Sequence, residues 1–128
     1  MKKIITLYCC LFISILCISC STPNPRNSSR LVAEQYLTHL AKTNIPNLEH
    51  LSSKQAKDYA ILKKITTNQY FMQWLGASYR KGYKIKVHDF VNKATAFVQF
   101  PNEETQLKLQ LVRERNTWKV NDVSFWNF

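Results

Sequence analysis

The chain has 128 residues, of which 45% are hydrophobic and 20% charged, a composition that fits one globular domain and excludes a disordered chain. Eighteen basic residues against eight acidic ones give a formal net charge of +10 at pH 7. All four cysteines occur within the first twenty residues, so the rest of the chain cannot form an internal disulfide. We therefore expect one domain that folds without disulfide bonds and carries excess positive charge.

The first nineteen residues have the pattern of a cleaved signal peptide. A basic start, Met1-Lys2-Lys3, precedes an uncharged apolar stretch over residues 4–18. That stretch is shorter than the roughly 20 residues that a transmembrane helix needs. Small residues at Cys17 and Ser19 suit positions −3 and −1 of a signal peptidase site. We therefore expect residues 1–19 to be removed by cleavage before Cys20.

The residues around this site, Leu16-Cys17-Ile18-Ser19-Cys20, resemble the lipobox of bacterial lipoproteins. They depart from it at position −3, where the family prefers Leu and this chain has Cys17. The resemblance implies that Cys20 carries the acyl chains, palmitate among them, and anchors the protein in a membrane. Ser21, rather than Asp, follows Cys20, which implies the outer membrane, facing the periplasm, rather than the inner one. The alternative is a plain secretory signal in which Cys20 is incidental.

Residues 20–29 are predicted to be the lipidated N-terminus and a proline-containing tether, followed by a domain over residues 30–128 that begins with helices. Ser28 or Ser29 can cap the first helix. Its apolar residues recur at the spacing of one helical face: Ala33, Tyr36, Leu37, Leu40 and Ala41.

More helices are predicted after the first one. Residues 46–51 form a short helix with Pro46 in its first turn. Ser52 or Ser53 then opens a longer helical region, and residues 66–68 interrupt it before a last helix over residues 70–79.

After Gly82 the hydrophobic period changes from helical to two, which predicts strands. The alternation starts at Tyr83 and returns over residues 94–100, 107–111 and from Trp118 onward. Short turns between these runs indicate hairpins and hence an antiparallel meander. Helices followed by strands predict an α+β domain in which the helices cover one face of the sheet.

This layout resembles the NTF2-like cone fold, in particular small lipoproteins of unknown function that share it. The resemblance covers residues 30–128 and is carried by Val32-Ala33-Glu34-Gln35-Tyr36-Leu37, by Leu109-Gln110-Leu111-Val112-Arg113-Glu114 and by Trp118-Lys119-Val120. It implies N-terminal helices packed on a curved antiparallel sheet, commonly with a pocket between the two layers. The fold hosts enzymes, ligand binders and secretion components, so it does not assign chemistry.

No catalytic motif is present, so we do not expect an enzyme. His39 and His50 belong to no metal-binding motif, and neither metal nor cofactor is expected. His88 and Asp89 are neighbours on a strand and point to opposite faces, so they cannot form a dyad.

Four residues are candidates for a pocket between the sheet and the helices. Asp89 shares its strand face with Ile85 and Val87, and Asp122 is expected on the face of Trp118 and Val120. Both carboxylates would then point inward, where they could act together as general bases. Tyr36 and Trp74 would supply aromatic walls. The alternatives are carboxylates in water at strand ends and aromatics in an ordinary core.

Lys84, Lys86, Lys108 and Lys119 alternate outward on the predicted strands. They could bind anionic lipid headgroups or an acidic envelope protein, or they could only solubilise the sheet and discourage aggregation at its edges. Nucleic acid is not expected as a partner of an exported domain, a DNA-transfer apparatus excepted.

Two hypotheses for the function remain. The first is a lipid-anchored, non-enzymatic interaction or scaffold module, an accessory of an envelope or secretion assembly. The alternative is a pocket protein that binds a small apolar ligand or performs dehydratase- or isomerase-like chemistry. Isolated carboxylates or His buried in a pocket favour the second hypothesis, and a collapsed aromatic core favours the first.

Overall fold

The structure, a computed structural model, describes residues 28–127, without the side chains of the last two. The predicted signal peptide (residues 1–19), Cys20 and the tether up to residue 27 lie outside the described residues. Within the described range, helices are followed by a four-stranded antiparallel sheet, so the predicted α+β class is confirmed. The first helix is capped by Ser28, one of the two caps predicted for it, and Ser29 is its first residue.

The helices are α1 (Ser29–Ala41), α2 (Ile45–Leu51), α3 (Lys54–Asp58), α4 (Ile61–Thr66) and α5 (Gln69–Arg80). Three of them begin at a residue whose side chain accepts a hydrogen bond from a backbone N–H of the first turn. These caps are Ser28, Ser53 and Asn68. Each cap satisfies a donor that the helix itself leaves unpaired, which explains why the helices start where the sequence places a small polar residue.

The longer helical region predicted after Ser53 is two short helices. The break is at Ala60, which adopts left-handed backbone angles (φ 51°, ψ 41°) between α3 and α4. Because a Cβ makes this conformation unfavourable by roughly 1–2 kcal/mol, the break must be held by packing. Ala56 of α3 and Ile65 of α4, on either side of the break, are both buried, and Ile65 belongs to the core cluster.

The strands are β1 (Lys84–Phe90), β2 (Lys93–Gln99), β3 (Thr105–Glu114) and β4 (Thr117–Asn127), in sheet order β1-β2-β3-β4. Their alternating residues separate two faces. The inner face is buried against the helices and includes Ala96, Val98, Leu107 and Leu109. On the opposite, outer face, no described strand residue is buried.

A β-bulge at Asn121 reverses this alternation within β4. Leu111 pairs with Val120 and the preceding Gln110 pairs with Asp122, so Asn121 is an extra residue. The strand before it buries Val120, and the strand after it turns Val123 toward the core instead of Asp122. One inserted residue moves every later side chain to the other face.

The bulge is also where the helical layer is joined to the sheet edge. The backbone N–H of Ser53 donates to the carbonyl of Val120 at 2.8 Å, and its hydroxyl donates to Oδ1 of Asn121 at 2.7 Å. Because Ser53 also caps α3, one buried residue positions both the helix and the strand.

Candidate interaction surface

Tyr36 lies in the packed core, 1% exposed, and not on a pocket wall. Burial raises the pKa of its hydroxyl to about 12, because the phenolate would lose its water; the side-chain hydrogen bond with Ser52 opposes this rise and the Asp122 carboxylate adds to it. Trp74 is half-buried and its ring contacts Phe71 and Phe100, at centroid distances of 5.8 and 5.4 Å. Neither residue lines any of the three concave surfaces described below.

The two candidate carboxylates are not brought together. Asp89 lies on the inner-face side of β1, opposite Ala94, but it is exposed at the strand end and accepts a hydrogen bond from the Ser29 hydroxyl. Asp122 pairs with Gln110 on the outer-face side of the sheet. The prediction that Asp122 shares the face of Trp118 and Val120 is therefore wrong, because the bulge at Asn121 intervenes. No inward-facing pair of carboxylates results.

The outer face carries a row of alternating basic and aromatic residues. Lys86 pairs with Phe97 and Phe97 pairs with Lys108, so the three side chains stand next to one another across three strands. The Lys108 ammonium lies 6.0 Å from the centroid of the Phe97 ring, and the His88 ring lies 5.8 Å from it edge-on. Lys84 continues the basic surface one pair of residues further along β1.

A groove of about 760 Å³ runs along this row toward the β1–β2 hairpin. We call it the outer-face groove; its lining includes His88, Phe90, Val91, Lys93, Thr95, Phe97 and Lys108. The aromatic and apolar side chains give it area to bury, and the two lysines give it positive charge. Such a surface fits an extended segment that carries both apolar and acidic groups.

Lys119 belongs to a different part of the surface than the other three predicted lysines. It lies on β4, and its ammonium group donates a hydrogen bond to the carbonyl of His50 in α2 at 2.6 Å. The lysine therefore joins the sheet edge to the end of a helix, where a cation also meets the negative end of the helix dipole. It does not line the outer-face groove.

Phe90 and Val91, at the tip of the β1–β2 hairpin, are a feature that the sequence reasoning missed. Their side chains are 78% and 85% exposed. A concavity of about 400 Å³ joins them to Ser28, where the domain begins, and to Arg113. The available signal was two consecutive large apolar residues at a turn, where polar residues are usual.

A third concavity, of about 850 Å³, lies among the short helices, and its lining includes Ile45, Glu49, His50, Lys57 and Lys63. It mixes both signs of charge and shares no residue with the outer-face groove. Within residues 28–127 no group of three His, Cys, Asp or Glu is placed to hold a metal ion, and no helix there is long and apolar enough to span a bilayer.

Comparison with known proteins supplies no relative. No protein-family model, curated protein or solved structure matches this chain significantly.

Proposed function

We propose that this chain is a lipid-anchored interaction module of the bacterial cell envelope, held at the outer membrane through Cys20. Its binding surface is the outer face of the sheet, and its partner is an acidic envelope protein. The observation that supports this most is the row Lys86–Phe97–Lys108, which stands on a face where no described strand residue is buried.

A protein partner fits this face better than a flat layer of headgroups. Lys84 is six residues from the hairpin residue Phe90, a separation of about 20 Å at roughly 3.3 Å per strand residue. The lysines are therefore spread along the length of the strands and are interleaved with Phe97 and His88. Aromatic groups flanked by cations supply the buried area and the charge complementarity of a protein interface.

The core supports the interaction hypothesis over the pocket hypothesis. Tyr36 and Trp74 pack among other apolar side chains, and Asp89 and Asp122 point to different sides of the sheet. Carboxylates so placed cannot act together on one substrate, because a general acid and base must both reach the reacting groups.

We also propose that the domain is a small member of the NTF2-like cone fold. The packing residues of the quoted segments support this, since Ala33, Tyr36 and Leu37 of α1 share one core with Leu109 and Trp118 of the sheet. An experimental structure tests it through the curvature of the sheet, and four flat strands would contradict it.

Lipid anchoring is tested with Cys20→Ala. We expect this change to abolish incorporation of labelled palmitate and to release the protein from the membrane fraction, because two or three acyl chains are needed for stable anchoring. Normal labelling together with normal membrane retention would contradict the proposal.

The binding surface is tested by purifying the full-length protein with its bound partners from its native envelope. The double variant Lys86→Gln, Lys108→Gln should no longer bind the partner. High salt should release the same partner from the wild-type protein, because salt screens the attraction between exposed charges. The matched control is Lys42→Gln with Lys64→Gln, two exposed lysines on the helical layer. Loss of the partner from both double variants, or from neither, would contradict the assignment.

A further inference from the structure

The described chain begins at the sheet end that carries the β1–β2 hairpin. Ser29, the first residue of α1, donates a hydrogen bond to Asp89 of β1, and Ser28 lines the same concavity as Phe90 and Val91. Ser28 follows Cys20 by eight residues. Even fully extended, that length of chain spans at most about 29 Å at roughly 3.6 Å per residue. A lipid on Cys20 would therefore keep Ser28, which adjoins the hairpin tip, within about 29 Å of the bilayer, at roughly 3.6 Å per residue.

The hairpin tip exposes apolar side chains whose burial in a less polar environment would be favourable. Phe90 and Val91 are consecutive and are 78% and 85% exposed, among the most exposed large apolar residues of the described chain. Burying a Phe or Val side chain stabilises a complex by about 1.5–3 kcal/mol relative to leaving it in water. Neither residue supports the fold, because neither belongs to the core cluster.

Positive charge surrounds this apolar tip. Lys93 pairs with Phe90 across the hairpin, and the backbone of Arg113 is hydrogen-bonded to the turn at Asn92 over 2.9 Å. Arg115 lies in the neighbouring β3–β4 turn at the same end of the sheet. All three cations are exposed.

Two carboxylates, Asp89 and Glu114, also lie at this end of the sheet, against the three cations. Asp89 accepts its hydrogen bond from Ser29, and Glu114 accepts one from the backbone N–H of Lys54. Glu103 and Glu104 lie in the β2–β3 loop at the opposite end of the sheet. Arg80, Lys81 and Lys84 lie at that end as well, so only the hairpin end of the described sheet combines exposed cations with an exposed apolar tip.

We infer that the β1–β2 hairpin tip is a second membrane attachment, in which Phe90 and Val91 enter the interface of the bilayer that holds the Cys20 lipid. Lys93, Arg113 and Arg115 then lie at the level of the anionic headgroups. Such a surface binds a membrane in two ways: its apolar side chains are buried among the lipids, and the neighbouring cations are attracted to the anionic headgroups. This inference rests on the proposed lipid anchor for its membrane. The bilayer would cover only the hairpin end of the outer-face groove, at Phe90, Val91 and Lys93, and would leave the row Lys86–Phe97–Lys108 to a protein partner.

Vesicle binding of the unlipidated chain measures the contribution of the hairpin tip to membrane binding without that of the lipid anchor. The mature chain with Cys20→Ser is mixed with vesicles of phosphatidylethanolamine and phosphatidylglycerol. We expect Phe90→Ser with Val91→Ser to reduce vesicle binding at least tenfold. The matched control, Tyr59→Ser with Tyr70→Ser, changes two exposed aromatics on the helical layer (61% and 88% exposed) and should leave binding within twofold. Thermal unfolding verifies that all variants are folded.

The lipidated protein supplies the second readout. An environment-sensitive dye is attached at Val91→Cys or, as the control, at Glu104→Cys, after acylation has removed Cys20 from labelling. In vesicles containing brominated lipids, the dye at position 91 should be quenched and the dye at position 104 should not.

Other outcomes overturn the inference and say what replaces it. Equal quenching at both positions would show the sheet lying flat on the headgroups. The same conclusion would follow if the tip variant kept vesicle binding and a triple variant lost it, with the changes Lys84→Gln, Lys86→Gln and Lys108→Gln. A tip variant that changes only the sedimentation of the protein would show a contact between copies of the chain. Failure of palmitate labelling with intact vesicle binding would contradict the lipid anchor alone.

Discussion

The hydroxyl of Ser29 donates a hydrogen bond to the carboxylate of Asp89, which lies sixty residues further along the chain. Ser29 is buried at the first turn of α1, whereas Asp89 lies at the exposed end of β1. The contact ties the beginning of the domain to the β1–β2 hairpin. It therefore connects the predicted attachment point of the tether with the apolar tip formed by Phe90 and Val91.

We expect Asp89→Ala to lower the free energy of unfolding by about 1 kcal/mol. A hydrogen bond to a charged group contributes about 1.5–3 kcal/mol when it is protected from water, and the exposure of the carboxylate reduces that contribution here. In a double-mutant cycle with Ser29→Ala, the two changes should be coupled by a similar amount. Urea unfolding measures both quantities. Asp58→Ala, at an exposed position on α3, is the control and should have little effect; additive effects of Ser29→Ala and Asp89→Ala would contradict the contact.

Tyr36 makes stability depend on pH in the alkaline range. The unfolded state releases the Tyr36 proton near pH 10, whereas the folded state holds it until about pH 12, because burial raises the pKa. The contribution is therefore complete below pH 10 and is lost as the pH rises through 12. Its slope reaches up to about 1.4 kcal/mol per pH unit.

Removing that hydroxyl should flatten the alkaline slope. Tyr36→Phe loses the hydrogen bond with Ser52, at a cost of about 1 kcal/mol near neutral pH. Between pH 10 and 11.5, however, its free energy of unfolding should fall less steeply than that of the wild type, as followed by urea unfolding at each pH. Parallel curves for the two proteins would show that Tyr36 ionises with its ordinary pKa.

Ala60→Gly should stabilise the domain by up to about 1 kcal/mol. Ala60 has left-handed backbone angles between α3 and α4, and glycine adopts that conformation without the Cβ clash. Ala77→Gly in α5 is the matched control, since it is exposed within a regular helix and should destabilise by roughly 0.5–1 kcal/mol. Thermal melting gives the sign of both changes, and destabilisation at position 60 would contradict the observed break.

Deleting Asn121 should be far more damaging than truncating it. Without the extra residue, alternation would run unbroken through β4, and either Trp118 and Val120 or Val123 and Phe125 would leave the inner face. Expelling one such pair costs several kcal/mol. Asn121→Ala only removes the acceptor of the Ser53 hydroxyl and should cost about 1 kcal/mol. Similar melting temperatures for the two variants would contradict the bulge.

Local chemistry was sufficient to predict the order and most boundaries of the elements. Ser28 and Ser53, each one of two predicted caps, begin helices, and Asn68 ends the break predicted at residues 66–68. Pro46 lies in the first turn of α2, and the change of period after Gly82 separates helices from strands. These features were readable because capping and alternation depend on neighbours a few residues apart. The outward alternation of Lys84, Lys86 and Lys108 followed from the same periodicity.

Other features depend on residues that are distant in the chain. The bulge at Asn121 is stabilised by its hydrogen bond with Ser53. The left-handed conformation of Ala60 is stabilised by the packing of α3 and α4 on the sheet. At the end of β1, Asp89 accepts a hydrogen bond from Ser29 instead of facing a pocket. Placing Asp122 on the wrong face shows the consequence, because one unforeseen residue inverts the rest of a strand.

The sequence by itself determined the α+β class, the hairpin order and the outward direction of Lys84, Lys86 and Lys108, because each depends on a repeating pattern within one segment. It did not show that Lys119 bonds to the helical layer. Only the tertiary structure decided that Tyr36 lies in a closed core, that Asp89 and Asp122 are separated, and that the exposed tip at Phe90 adjoins Ser28. The physical reason is that packing joins segments tens of residues apart, and no local pattern records which surfaces meet.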